Sequence, residues 1–126
     1  IPTSEGPWYQ TYLDYCMNNN LLGNFYDSWQ ENAEAKLLAR MNTKATRMDM
    51  VKILSGAASL PGLGWNDEET VSVPDVDKDA ETYNYLVYDW YRNGIVSGDP
   101  GTGAFRPNDS IKRGEVAVIL CKLLGL

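Results

Sequence analysis

Apolar side chains return at helical spacing in five stretches of the chain. Tyr9, Tyr12, Leu13, Cys16 and Met17 form one stripe and predict a helix over about Trp8 to Asn18. Pro7 suits its first turn, and Asn18-Asn19-Asn20 with Gly23 stops it. Trp29, Ala33, Leu37 and Met41 predict a second helix, Trp29 to Met41, opened by a capping box of Ser28 and Glu31. A third starts near Thr46, with Met50, Val51, Ile53 and Leu54 apolar and Gly56 near its close. Tyr83, Val87, Trp90 and Tyr91 line a fourth, Ala80 to Asn93, ended by Gly94. A fifth, Lys112 to Leu124, is expected to turn Val116, Ala117, Ile119, Leu120, Leu123 and Leu124 inward. The glycine-rich stretch Ser59 to Ser72 reads as a loop between two halves, and Gly98 to Gly103 as a tight turn. Strand signal is confined to a brief extended run at Val71 to Val76.

The two halves share a pattern. Tyr9 to Leu21 matches Tyr83 to Ile95 at a constant offset of 74 residues. Thr46 to Leu54 matches Lys112 to Leu120 at an offset of 66. The first half therefore holds eight more residues between its blocks, where the second helix falls. Each half is helix, connection, helix. Such a unit cannot bury its apolar face alone, so the halves are expected to pack on each other. The expected fold is all-α: tandem helix–loop–helix units in one small bundle. Residues 1–58 form a divergent unit with an extra helix, 59–72 connect, and 73–126 form the second unit.

Composition narrows the function. A length of 126 residues and 44% apolar content suit one compact soluble domain. The net charge of −6 and the lack of a Lys/Arg cluster argue against nucleic acid and against docking on anionic lipid. A small anionic ligand stays open, because one placed Arg outweighs a diffuse negative field at short range. The chain has no histidine, the commonest general base and metal ligand. No nucleophile motif, phosphate loop or Cys/His metal spacing appears. Seventeen acids leave a glycosidase pair conceivable, but none is singled out. Cys16 and Cys121 read as two buried thiols in preference to a disulfide. No apolar run is long enough to span a bilayer, and no signal-peptide pattern is present. The chain opens on Ile1, not Met, so a processed chain or a fragment is expected.

Four short motifs in the second half carry a resemblance. Val73-Pro74-Asp75-Val76 resembles the F-x-D-V opening of S-layer homology repeats. Gly94-Ile95-Val96-Ser97-Gly98 resembles their G-I-x-x-G, Gly103 to Pro107 their G-x-F-x-P, and Ile111 to Glu115 their I-T-R-A-E. The four stand in the family's order and spacing. In the first half, Trp8-Tyr9 resembles the family's W-Y, and Thr46-Arg47-Met48-Asp49 its T-R-A-E. The G-x-F-x-P loop is missing there, and F-x-D-V is absent upstream.

The resemblance implies a non-catalytic module on a bacterial cell surface. It implies grooves between repeats that bind secondary cell-wall polysaccharide, anionic and often pyruvylated, with no cofactor and no metal. It implies three repeats, of which two are visible. A third repeat elsewhere, or other surface proteins, are the further partners it suggests. The alternative is a structural or protein-interaction module that has lost sugar binding.

Each candidate residue has a structural explanation beside the functional one. Thr46 with Asp49, and Glu115, suit helix caps worth about 1 kcal/mol. Arg47 and Arg113 each stand in a helix's first turn, against the helix dipole, which suggests a use. A guanidinium grips a carboxylate such as a pyruvyl ketal with two parallel bonds; the alternative is an internal ion pair with Asp75 or a similar acid. Arg113 with Glu115 and Asp75 is thus expected to form one anionic-sugar site, and Arg47 with Trp8 a second. Trp90 reads as core, while Trp8, Trp29 and Trp65 are candidates for stacking on sugar. Asp75 to Asp79 fails the EF-hand pattern at Ala80 and Leu86, so it reads as a solvated turn with Asp79 as a cap.

Overall fold

A computed structural model describes residues 8–23, 31–57, 68 and 70–125. Among them are five helices: α1 (Gln10–Asn18), α2 (Ala33–Arg40), α3 (Arg47–Ala57), α4 (Tyr85–Arg92) and α5 (Arg113–Leu123). The described residues contain no strand, only an isolated antiparallel bridge between Thr46 and Ser110. The run Val71 to Val76 stays irregular, because no described residue pairs with it.

Two apolar clusters hold the fold. The larger gathers Val73, Val76, Leu86, Val87, Trp90, Ile95, Val96, Phe105 and Ile119 from the second half, with Val51 from α3. The smaller gathers Leu13, Leu22 and Leu37, with Ile53 of α3 packed against it. α3 thus belongs to both. Trp90 is fully buried, and its indole N–H donates to Ser55 Oγ on α3 at 2.9 Å. That bond satisfies the ring's one polar atom inside the core.

The halves repeat two backbone devices. α4 ends with Gly94 at φ +69°, where Ile95 N donates to Trp90 O and Gly94 N to Tyr91 O. α1 ends the same way: Asn20 lies at φ +56°, Leu21 N donates to Cys16 O and Asn20 N to Met17 O. Both are Schellman closures, and Asn is the residue after Gly that best tolerates the left-handed turn. The second device starts α3 and α5. Asp49 Oδ2 accepts the Thr46 N–H at 3.1 Å while Thr46 Oγ1 accepts the Asp49 N–H at 3.0 Å, a full capping box. Glu115 Oε1 accepts the Lys112 N–H at 3.4 Å. Lys112 has no acceptor to return the bond, so this box is half made.

Several expectations need correction. α2 starts at Ala33, after Asn32 at φ +57°; the expected cap at Ser28, like Trp29, lies outside the described residues. α4 starts at Tyr85, five residues later than Ala80. Asp77 competes with the helix: its Oδ1 accepts the Asp79 N–H at 3.0 Å and its carbonyl accepts the Asn84 side-chain N–H at 2.7 Å. Local bonds of this kind hold residues 77–84 in turns, so Asp77 organises the segment and Asp79 caps nothing. On α5, Ala117, Leu120 and Leu124 are exposed, because no described element covers that face. Cys16 and Cys121 are free thiols, but only Cys16 is partly buried; Cys121 lies on the same open face of α5. The loop expected over 59–72 and Trp65 lie largely outside the described residues.

Candidate functional site

The G-x-F-x-P loop is built by three anchors. Tyr91 OH donates to Gly103 O at 2.9 Å. Asp75 takes the Phe105 N–H on Oδ1 at 2.8 Å and the Arg106 N–H on Oδ2 at 2.7 Å. Phe105 is thereby held in the core, 1% exposed. Gly98 sits at φ +74°, and a Cβ there would lie 2.4 Å from Gly103 O and 2.5 Å from the Tyr91 hydroxyl. Only glycine lets these two turns touch.

α3 clamps onto this loop from the first half. Its leading amides leave the helix: Arg47 N donates to Asp109 O at 2.9 Å and Met48 N to Pro107 O at 3.0 Å. The Ile111 N–H returns to Ala45 O at 3.1 Å. The Arg47 side chain crosses over. Nε donates to Phe105 O at 2.6 Å, the guanidinium lies 5.0 Å from the centre of the Phe105 ring, and NH1 pairs with Glu115 Oε2. Arg47 is 7% exposed, and burial, then nearby Arg106, lower its pKa from the usual guanidinium value. It remains charged, because Glu115, a carbonyl and an aromatic face replace the lost water.

Beside this clamp lies a groove of about 310 Å³. It is lined by Ile95 to Gly98, by Glu115, Val118, Ile119 and Lys122 of α5, and by Arg47. The groove thus holds two cations and one carboxylate on a chain of net charge −6. Lys122 is exposed and has no ion pair among the described residues.

The sequence candidates are distributed unevenly around this groove. Arg47 and Glu115 meet and line it. Thr46 and Asp49 form the cap of α3, and Asp49 also pairs with Arg40 of α2 at 2.5 Å. Asp75 staples the loop with both oxygens and lines no wall. Arg113 is exposed on the outer side of α5, and no contact joins it to Glu115 or Asp75. The expected trio of Arg113, Glu115 and Asp75 is therefore not assembled: residues two apart on a helix diverge, and Glu115 turns to Arg47 instead. Trp8 is 85% exposed and meets the Tyr9 ring edge-on. The sequence reading missed Lys122. Its spacing of seven from Glu115, two helical turns, was the available signal.

In a comparison with known families, the S-layer homology domain matches residues 74–117, the span from Pro74 through the loop to the first turn of α5. Neither curated proteins nor solved structures give a match.

Proposed function

We propose, from the premise that residues 74–117 are an S-layer homology domain, that the chain is a non-catalytic anchor holding its parent protein on bacterial cell-wall polysaccharide. Domains of this family are binding modules that anchor surface proteins to such polymers. The observation that carries the reading further is the groove's charge: Arg47 and Lys122 facing one space, with Glu115 between, on an acidic chain. An acidic sugar, such as a pyruvyl ketal, would place its carboxylate against Lys122 and the edge of Arg47. Its ring would lie along Val118 and the Ile95 to Gly98 backbone. Arg47 has already given Nε and NH1 to Phe105 and Glu115, so it positions the wall of the groove while Lys122 supplies the freer charge. Charge-assisted bonds of this type need no bond-making chemistry. No described helix is long and apolar enough to cross a membrane.

The buried engagement of Arg47 favours a second reading, in which the fold is kept for protein contacts and sugar binding is lost. Co-sedimentation with cell walls stripped of protein separates the two. Wild type should be retained, and Lys122→Glu, an exposed change, should lose at least tenfold in retention. Walls treated with mild acid to remove ketal-linked carboxylates should lose it as well. Equal retention of Lys122→Glu and wild type sinks the groove assignment. Retention on purified surface protein but not on wall supports the second reading.

A further inference from the structure

α1 and the turn before it bury one face and set a row of rings on another. Tyr9, Leu13, Cys16 and Met17 belong to the smaller apolar cluster or pack against it. Trp8, Tyr12 and Tyr15 stand outside it, 85%, 57% and 48% exposed. Their spacing of four and then three residues places them along one side of the helix. At about 100° and 1.5 Å per residue, Trp8 and Tyr15 lie nearly in line, roughly 10 Å apart along the axis. Tyr12 stands between them and to one side.

The pattern shared by the two halves does not account for these rings. At the offset of 74, Trp8, Tyr12 and Tyr15 correspond to Thr82, Leu86 and Asp89. Leu86 is core and Asp89 pairs with Arg92. The buried positions, by contrast, match in kind: Leu13 with Val87, and Leu22 with Val96. The row is therefore an addition of the first half. Three large exposed rings in one line are a patch, not scattered surface apolar residues.

The chemistry of the row selects its occupant. Asn19 continues it, with its side-chain N–H bound to Tyr15 O at 2.8 Å, and the exposed Asn18 and Asn20 flank that end. None of these residues is aliphatic and none is charged. A protein partner would look for methyl groups to share a core and for ion pairs at the rim, and a nucleic acid for cations. Flat rings edged by hydroxyls and amides instead match the C–H face of a pyranose, whose own hydroxyls reach past the ring to such groups. In an extended β-1,4 glycan, every second unit turns the same face to one side. The Trp8 to Tyr15 spacing is close to that repeat.

We propose that Trp8, Tyr12 and Tyr15 form a stacking site for an extended, uncharged β-1,4-linked glycan, separate from the charged groove. Trp8 and Tyr15 each carry the face of one of two alternate units, and Tyr12 holds the unit between them from the side. The site asks for no carboxylate on the sugar. It therefore takes a different chemical class from the groove, and its failure leaves the groove assignment standing.

Isothermal titration calorimetry of the 126-residue chain with β-1,4 oligomers of glucose and of N-acetylglucosamine, one to six units long, tests the site. Affinity for at least one series should rise tenfold or more from one unit to three, the length that reaches both end rings, and little beyond. Trp8→Ala and Tyr15→Ala should each weaken the three-unit sugar at least tenfold, and Tyr12→Ala about threefold. Trp8→Tyr, which keeps a ring, should retain most of the affinity. All three positions are exposed, so the variants should keep the wild-type urea midpoint. Lys122→Glu should bind these oligomers as wild type does. Absence of binding by both six-unit sugars at millimolar concentration overturns the proposal, as does equal affinity for one and six units. Binding that survives the Trp8→Ala, Tyr15→Ala double variant, or that Lys122→Glu removes, places the sugar elsewhere and overturns it too. Self-association in sedimentation that Trp8→Ala abolishes assigns the row to a second copy, and retention on phosphatidylcholine vesicles assigns it to lipid; either result overturns the glycan site.

Discussion

α3 and α5 are close to the same helix in two settings. Both open on a basic residue followed two positions later by a carboxylate, and both carboxylates cap their own helix while taking a guanidinium from elsewhere. Yet Arg47 and Val51 are buried, while the matching Arg113 and Ala117 face solvent. The difference teaches that a helix's apolar pattern sets which residues can be covered, while the neighbour decides whether they are. α3 has the 105–111 loop and α4 against it; α5 has its outer side open.

The strongest way to break this contrast is to place the same charge on both stripes. Val51→Asp buries an unpaired carboxylate in a position 1% exposed and should cost several kcal/mol, enough to abolish cooperative unfolding in urea. Ala117→Asp, the matching position, should stay within about 0.5 kcal/mol of wild type. Comparable losses at both sites would mean that α5 is covered after all. Next in size is the arginine pair. Arg47→Ala leaves Phe105 O and Glu115 without their cation and should cost about 1 to 3 kcal/mol, discounted because Glu115 is partly exposed. Arg113→Ala should leave the urea midpoint almost unmoved. The smallest effect lies at Tyr91, whose pKa is raised to about 12, first by burial and then by Asp75. The folded state holds this proton more tightly than the unfolded chain, whose tyrosine titrates near 10. Its contribution is therefore complete below about pH 10 and is lost as the pH rises toward 12. The wild-type midpoint should fall over that range more steeply than that of Tyr91→Phe.

Much of this was legible in the sequence for stated physical reasons. The 3.6-residue periodicity located five helices, the Thr46 and Asp49 spacing announced a capping box, and Trp90 on an apolar face marked the core. The start of α4 was not legible, because Asp77 offers backbone bonds that compete with helix and propensity does not rank the two. The open face of α5 was hidden for another reason. The helix is apolar on nearly every side, so its own residues do not mark which face meets a partner. At the site, Arg47 stood out by opposing its helix dipole, but its partner did not: the candidate acids were known, and only the crossing of α3 over the loop selects Glu115. Asp75 was read as a ligand candidate, yet its value to the loop comes from two amides thirty residues away, which no local spacing encodes.

The double membership of α3 has a mechanical side. Val51 is locked in one cluster and Ile53 rests on the other, so the two cores share α3. Any loss of α3 packing is therefore felt in both clusters at once.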